Sequence, residues 1–198
     1  LHGCSRLVLH ALELRECAML VHLSLYNCPR LAIARLDLER CRVLKSLIIS
    51  DSPHLHTLTL PDRGARMTHL IVTKVPSLAI CALSPGRSLE HLDLIECPTL
   101  SIENLILEPC CALTHLTLFA CNALQRVQLP QDLSSLKAFS IAECSLSLDR
   151  AELIMPPSLT TLMLEECPFL GLHCLDIRQC CNLKKSDIFA CNGLSVLR

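Results

Sequence analysis

The sequence predicts a mainly β solenoid, one array of about eight to nine stacked coils of 22–24 residues each. Three observations lead there. A leucine pattern of fixed period runs along nearly the whole chain, and a fixed period of a few tens of residues is the mark of a stacked architecture. A second, looser leucine pattern lies half a period out of phase, so each coil has two extended sides. Hydrophobic residues make up 51% of the chain, yet aromatics are only 3% and Trp is absent, so the core is built from one recurrent aliphatic side chain.

The strict pattern reads L-x-x-L-x-L-x-x-C-x-x-L, as in Leu20, Leu23, Leu25, Cys28 and Leu31. It recurs at Leu89, Leu92, Leu94, Cys97 and Leu100, at Leu113, Leu116, Leu118, Cys121 and Leu124, and at Leu159, Leu162, Leu164, Cys167 and Leu170. The cysteine position falls at residues 4, 28, 52, 75, 97, 121, 144, 167 and 191, with Ser52 and Val75 as substitutes. In an extended chain successive side chains alternate faces, so L-x-L sends both leucines inward and the residue between them outward. A helix would repeat its apolar positions at i, i+3, i+4 and i+7 over a dozen residues. The observed offsets, with Pro29, Pro98 and Pro168 directly after a cysteine, fit a strand followed by a turn. Such strands stack in a parallel sheet about 4.8 Å apart, and each coil buries its leucines only between neighbours.

The looser pattern comprises Leu12/Leu14, Leu36/Leu38, Leu58/Leu60, Leu105/Leu107, Val127/Leu129 and Leu175/Ile177, several of them ending in proline. Short strands or irregular turns are expected there. Its outward charges, Glu13, Arg15 and Glu16, then Asp37, Glu39 and Arg40, predict cross-coil pairs of Arg15 with Glu39 and Glu16 with Arg40 on a solvated surface. Two stretches, Ile80–Pro85 and Ser145–Met155, keep the spacing poorly and are expected to bulge.

These motifs resemble the leucine-rich repeat family, and the form with Cys-Pro resembles its cysteine-containing and plant immune-receptor variants. The resemblance spans nearly the whole chain. It implies a parallel sheet of strict strands on the concave face of a curved solenoid, with irregular segments on the convex side and the cysteine packed under the turn. Residues 1–198 thus form a single leucine-rich repeat solenoid. No polar capping segment precedes Leu1 or follows Leu194, so the chain is expected to be a fragment of a longer protein.

Composition narrows the function classes. With 18 Lys+Arg against 19 Asp+Glu and no basic run longer than Lys184-Lys185, the electrostatic footprint of a nucleic-acid binder is missing. No apolar run approaches the roughly 18 residues that span a bilayer, so membrane insertion is not expected. Of fifteen cysteines, Cys17, Cys28, Cys41, Cys97, Cys110, Cys121, Cys144, Cys167, Cys180 and Cys191 end an L-x-L segment, and Cys4 belongs with them. No C-x-x-C pair occurs, and none of the five Asn starts an N-x-S/T acceptor. The pattern reads as a ladder of buried thiols in an intracellular, cytoplasmic protein, not as a metal site or disulfide framework. In Cys110-Cys111 and Cys180-Cys181 only one thiol can turn inward, which leaves the other exposed. No catalytic residue, metal or cofactor is expected, because every candidate nucleophile is explained by the repeat and no phosphate loop is present. His69, His91 and His115 occupy equivalent positions and are expected to form a column. Zinc binding or pH sensing near 6.5 is one reading of it, and a polar cover for the strand edge is the favoured one.

The outward positions of the strict strands are where a binding function is legible. One column holds Ser24, Ile48, Ile71, Asp93, Thr117, Ser140, Met163 and Asp187, and the next Tyr26, Ser50, Thr73, Ile95, Phe119, Ala142, Glu165 and Phe189. Apolar side chains that the core does not need mark a protein-binding patch. The expected face is Tyr26, Ile48, Ile71, Ile95, Phe119, Met163 and Phe189 with Asp93, Glu96 and Glu165, bounded by an acidic margin that includes Asp51, Glu143 and Glu166. Its partner is expected to be a protein with basic and apolar side chains. The chain thus reads as an interaction scaffold and not an enzyme. A substrate-recognition segment of a ubiquitin-ligase adaptor and a structural subunit of a large assembly are the alternatives.

Overall fold

The computed structural model describes residues 1, 3, 9–61, 66–80, 86–100, 102 and 104–198. Among them the regular elements are all strands. The first six are β1 (His22–Leu25), β2 (Arg35–Asp37), β3 (Ser46–Ser50), β4 (Thr57–Thr59), β5 (His69–Thr73) and β6 (Ala79–Ile80). Next come β7 (His91–Ile95), β8 (Asn104–Ile106), β9 (His115–Phe119), β10 (Arg126–Gln128), β11 (Ala138–Ala142) and β12 (Ser147–Leu148). The chain closes with β13 (Glu152–Ile154), β14 (Thr161–Glu165), β15 (Cys174–Asp176), β16 (Lys185–Phe189) and β17 (Val196–Leu197).

The strict pattern folds as one eight-stranded parallel sheet in the order β1-β3-β5-β7-β9-β11-β14-β16, which makes the molecule a parallel β-solenoid. Pairing is in register throughout: Leu47 faces Leu70, Leu70 faces Leu92, Leu92 faces Leu116, and Phe139 lies between Leu116 and Leu162. The recurrence of the same leucine spacing within each coil is the cause, and the connections between strands take up the difference between coils of 22 and 24 residues. Each inward residue lands on its counterpart one coil away, and the Leu47–Leu162 and Ile49–Leu164 columns are buried along their length. A buried leucine contributes roughly 1.5–3 kcal/mol, and it does so here only because a coil covers it on each side.

Each strict strand ends in the same corner. Asn27, Asp51, Lys74, Glu96, Ala120, Glu143, Glu166 and Ala190, each one place before the cysteine position, take φ between 51° and 56°. The left-handed residue turns the chain while its amide stays in the ladder. Glu96 N donates to Phe119 O at 2.8 Å and Ala120 N to Ala142 O at 3.1 Å. The next side chain then points into the corner, where a small apolar group with one weak donor fits. Cys121 Sγ donates to Phe119 O (3.5 Å) and to Leu94 O of the preceding coil (3.3 Å); Cys144 and Cys167 repeat the arrangement. Ser52 fills the position with a hydroxyl that donates to Ser50 O. Burial pushes the thiols of Cys121 and Cys144 up, as it does Cys97, to about 11, and, on the looser side, Cys110, to about 12.

The looser pattern forms three short parallel sheets, β2-β4-β6, β8-β10-β12 and β13-β15-β17. Leu36, Leu38, Leu58, Leu105, Leu107, Val127, Leu129 and Leu175 are buried, so both apolar residues of a triplet point inward as read from the sequence. Ser145–Met155 departs from the repeat as expected: β12 pairs back to β10 and β13 forward to β15. In the other irregular stretch, residues 81–85 lie outside the described residues. Arg15 Nε donates to Asp37 Oδ2 at 2.7 Å, and this diagonal contact replaces the expected pair with Glu39. Cys111 and Cys181 are exposed beside buried Cys110 and Cys180. No helix among the described residues is long and apolar enough to cross a membrane.

Candidate binding face

Register pairing assembles the outward columns. Ile48, Ile71, Asp93, Thr117, Ser140, Met163 and Asp187 lie on successive strands in one line, and Thr73, Ile95, Phe119, Ala142, Glu165 and Phe189 in the next. Tyr26 and Phe189 are exposed, at 49% and 51%, while Ile48, Ile71, Ile95, Phe119 and Met163 are more deeply buried. The reason is the short coil spacing. Each outward side chain is flanked by its counterparts, so the columns present edges and tips instead of isolated side chains. Ser140 Oγ donates to Met163 Sδ at 3.3 Å, fixing the thioether within its column.

His69, His91 and His115 stack as the sequence suggested. Ring centroids are 5.7 and 4.7 Å apart, with interplanar angles of 14° and 16°. Hydrogen bonding sets their tautomers. Thr68 and Thr114 each donate their hydroxyl proton to a carbonyl of the preceding coil, Lys45 O and Glu90 O. With their protons so engaged, the Thr68 and Thr114 hydroxyl oxygens accept from His69 Nδ1 (2.9 Å) and His115 Nδ1 (2.8 Å). His91 instead donates from Nε2 to Asp93 Oδ2 at 2.9 Å. Near-parallel rings carry near-parallel lone pairs, which do not converge on one point as zinc ligands must. No metal-binding group of His, Cys, Asp or Glu occurs among the described residues. Burial first, and His91 second, lower the His115 pKa below the ordinary histidine value.

Asp93 is the polar centre of the face. It sits between Ile71 and Thr117 in its column, and its Oδ1 is buried without a hydrogen-bond partner. An uncompensated buried acceptor costs roughly 1–3 kcal/mol. Glu165 lies within the face, between Ala142 and Phe189. Glu96 lies at its edge, in the left-handed corner, where it lines a shallow cavity of about 390 Å³ with Pro29, Asp51, Pro53, Lys74 and Pro76. The margin expected to be acidic is thus interrupted by Lys74 and Ala120, because one left-handed residue per coil occupies it whatever its charge.

Among the described residues, six large apolar side chains off this face are exposed and were not singled out from the sequence: Leu1, Met19, Ile106, Ile154, Phe169 and Leu197. Two carried a signal. Ile106 and Ile154 are the middle residues of Leu105-Ile106-Leu107 and Leu153-Ile154-Met155, the outward place in a looser triplet. No protein-family model, no curated protein and no solved structure matches this chain.

Proposed function

We propose that the chain is a leucine-rich repeat scaffold that binds another protein through the outward face of its eight-stranded sheet. The observation that supports this most is the pair of in-register outward columns, in which the apolar side chains of Ile71, Ile95 and Phe119 surround the partly exposed carboxylate of Asp93. A partner that presents a basic side chain within an apolar surface pairs with that carboxylate and covers the columns. The in-register leucines and corner cysteines support the family reading. The thiols of Cys97 and Cys121, raised by burial and tied to carbonyls, support a binding role over catalysis and fit a reducing, cytoplasmic compartment. Balanced charge argues against nucleic acid as the partner. A ubiquitin-ligase adaptor segment or an assembly subunit would use the same face.

The test is quantitative recovery of cross-linked partners from cells of the source organism, with the native chain beside Ile95→Asp and Phe119→Asp variants of unchanged circular dichroism. Partners held by this face fall at least tenfold with both variants. Equal recovery with native and variant chains removes the proposal.

A further inference from the structure

On the looser side, the change of strand partner leaves two broken edges, and the chain treats them differently. Met155 N donates to Asp176 O at 2.9 Å and Cys174 N to Ala151 O at 2.9 Å, so Ala151, Leu153 and Met155 turn their backbone polar groups toward β15. Successive peptide groups of a strand face opposite sides. Glu152 and Ile154 therefore turn theirs toward the preceding coil. No strand receives them, because β10 ends at Gln128 and pairs with β12.

The preceding coil is capped there by side chains. Asp149 Oδ1 accepts from Leu129 N at 3.2 Å, and Arg150 Nη2 donates to Leu129 O at 2.9 Å and Pro130 O at 2.7 Å. The edge of β13 has no such cap among the described residues. It borders a groove of about 280 Å³ lined by Gln131, Leu133, Arg150, Glu152, Ile154 and Gln179. Ile154 is 63% exposed, whereas Leu153 and Met155 on either side are buried.

We propose that this notch binds an extended polypeptide segment, which adds as a short strand along Glu152–Ile154. Unpaired donors and acceptors on a strand edge are specific for another peptide backbone. Ile154 takes an apolar side chain of the added strand. Glu152, exposed and without an ion pair among the described residues, takes a basic one. Arg150 is drawn to the preceding coil by the two carbonyls it bonds and by Asp149 at 3.9 Å, which screens its charge from that basic residue. The site is independent of the sheet face and rests on different residues.

The experiment uses the whole chain and a labelled peptide of alternating lysine and valine, beside the same peptide with a central proline. In the free chain the amides of Glu152 and Ile154 exchange with solvent at least tenfold faster than those of Leu153 and Met155. Peptide addition slows the first pair at least tenfold and leaves β7 and β9 unchanged. Ile154→Pro, which removes a donor the fold does not use, weakens binding at least fivefold, as does Glu152→Lys; Phe119→Asp has no effect. Slow exchange at Glu152 and Ile154 before addition, equal binding of the proline peptide, or binding unchanged in the Ile154→Pro chain overturns the proposal.

Discussion

At the scale of single residues, the corner of each coil shows what the backbone demands and what the side chain is free to be. Eight non-glycine residues hold φ near 51–56°, a conformation that costs an L-residue roughly 1–2 kcal/mol, and Glu, Lys and Ala are tolerated there because the ladder continues through their amides. Ala120→Gly should therefore stabilise the chain by up to about 1 kcal/mol, the relief exceeding the added entropy of the unfolded glycine, whereas Ala120→Val should destabilise it. Urea denaturation of the two variants checks the opposite signs. The cysteines make a second residue-scale prediction. Cys111 and Cys181, being exposed, should react with a disulfide reagent in the native protein, while Cys97, Cys110 and Cys121 should react only on unfolding.

At the scale of elements, the three-histidine stack on β5, β7 and β9 makes stability depend on pH. Burial and the His91 charge hold the His115 pKa below its ordinary value, so between that lowered value and about 6.5 the unfolded chain binds more protons than the folded one. Stability is complete above about pH 6.5 and falls as pH drops toward the folded value. Melting temperatures recorded from pH 7.5 down to 5 should decline more steeply for the native chain than for His115→Gln. Equal slopes would mean that the stack carries no proton-linked energy. The looser strands illustrate a different lesson. A triplet of alternating faces is enough to bury Leu105 and Leu107, yet whether such a strand pairs backward, as β12 does, or forward, as β13 does, depends on the loop between them.

At the scale of the whole molecule, among the described residues every strand of the main sheet touches only the coils before and after it, so stability is a sum of nearest-neighbour layers. A hole in a central layer should then uncouple both halves. Leu116→Ala removes a fully buried leucine between Leu92 and Phe139 and should cost about 2–5 kcal/mol. Amide exchange should rise in β7, β9 and β11 together. An effect confined to β9 would show that the layers are not coupled as the stack requires.

The period alone determined the inward columns, the burial of one cysteine from each adjacent pair and the alignment of His69, His91 and His115, because repeat lengths this similar leave only one register in which the leucines of every coil are buried together. Three things were decided by the tertiary structure. The left-handed corner is not legible, since residues as different as Asn27, Lys74 and Glu96 occupy it and only the ladder makes it affordable. The half-burial of Ile71, Ile95 and Phe119 and the orphaned Asp93 oxygen arise from neighbours a coil away, not from the strand that carries them. The capped and open edges at Arg150 and Ile154 depend on which coil each half of one loop hydrogen-bonds to, and an irregular stretch of sequence does not encode that choice in its period.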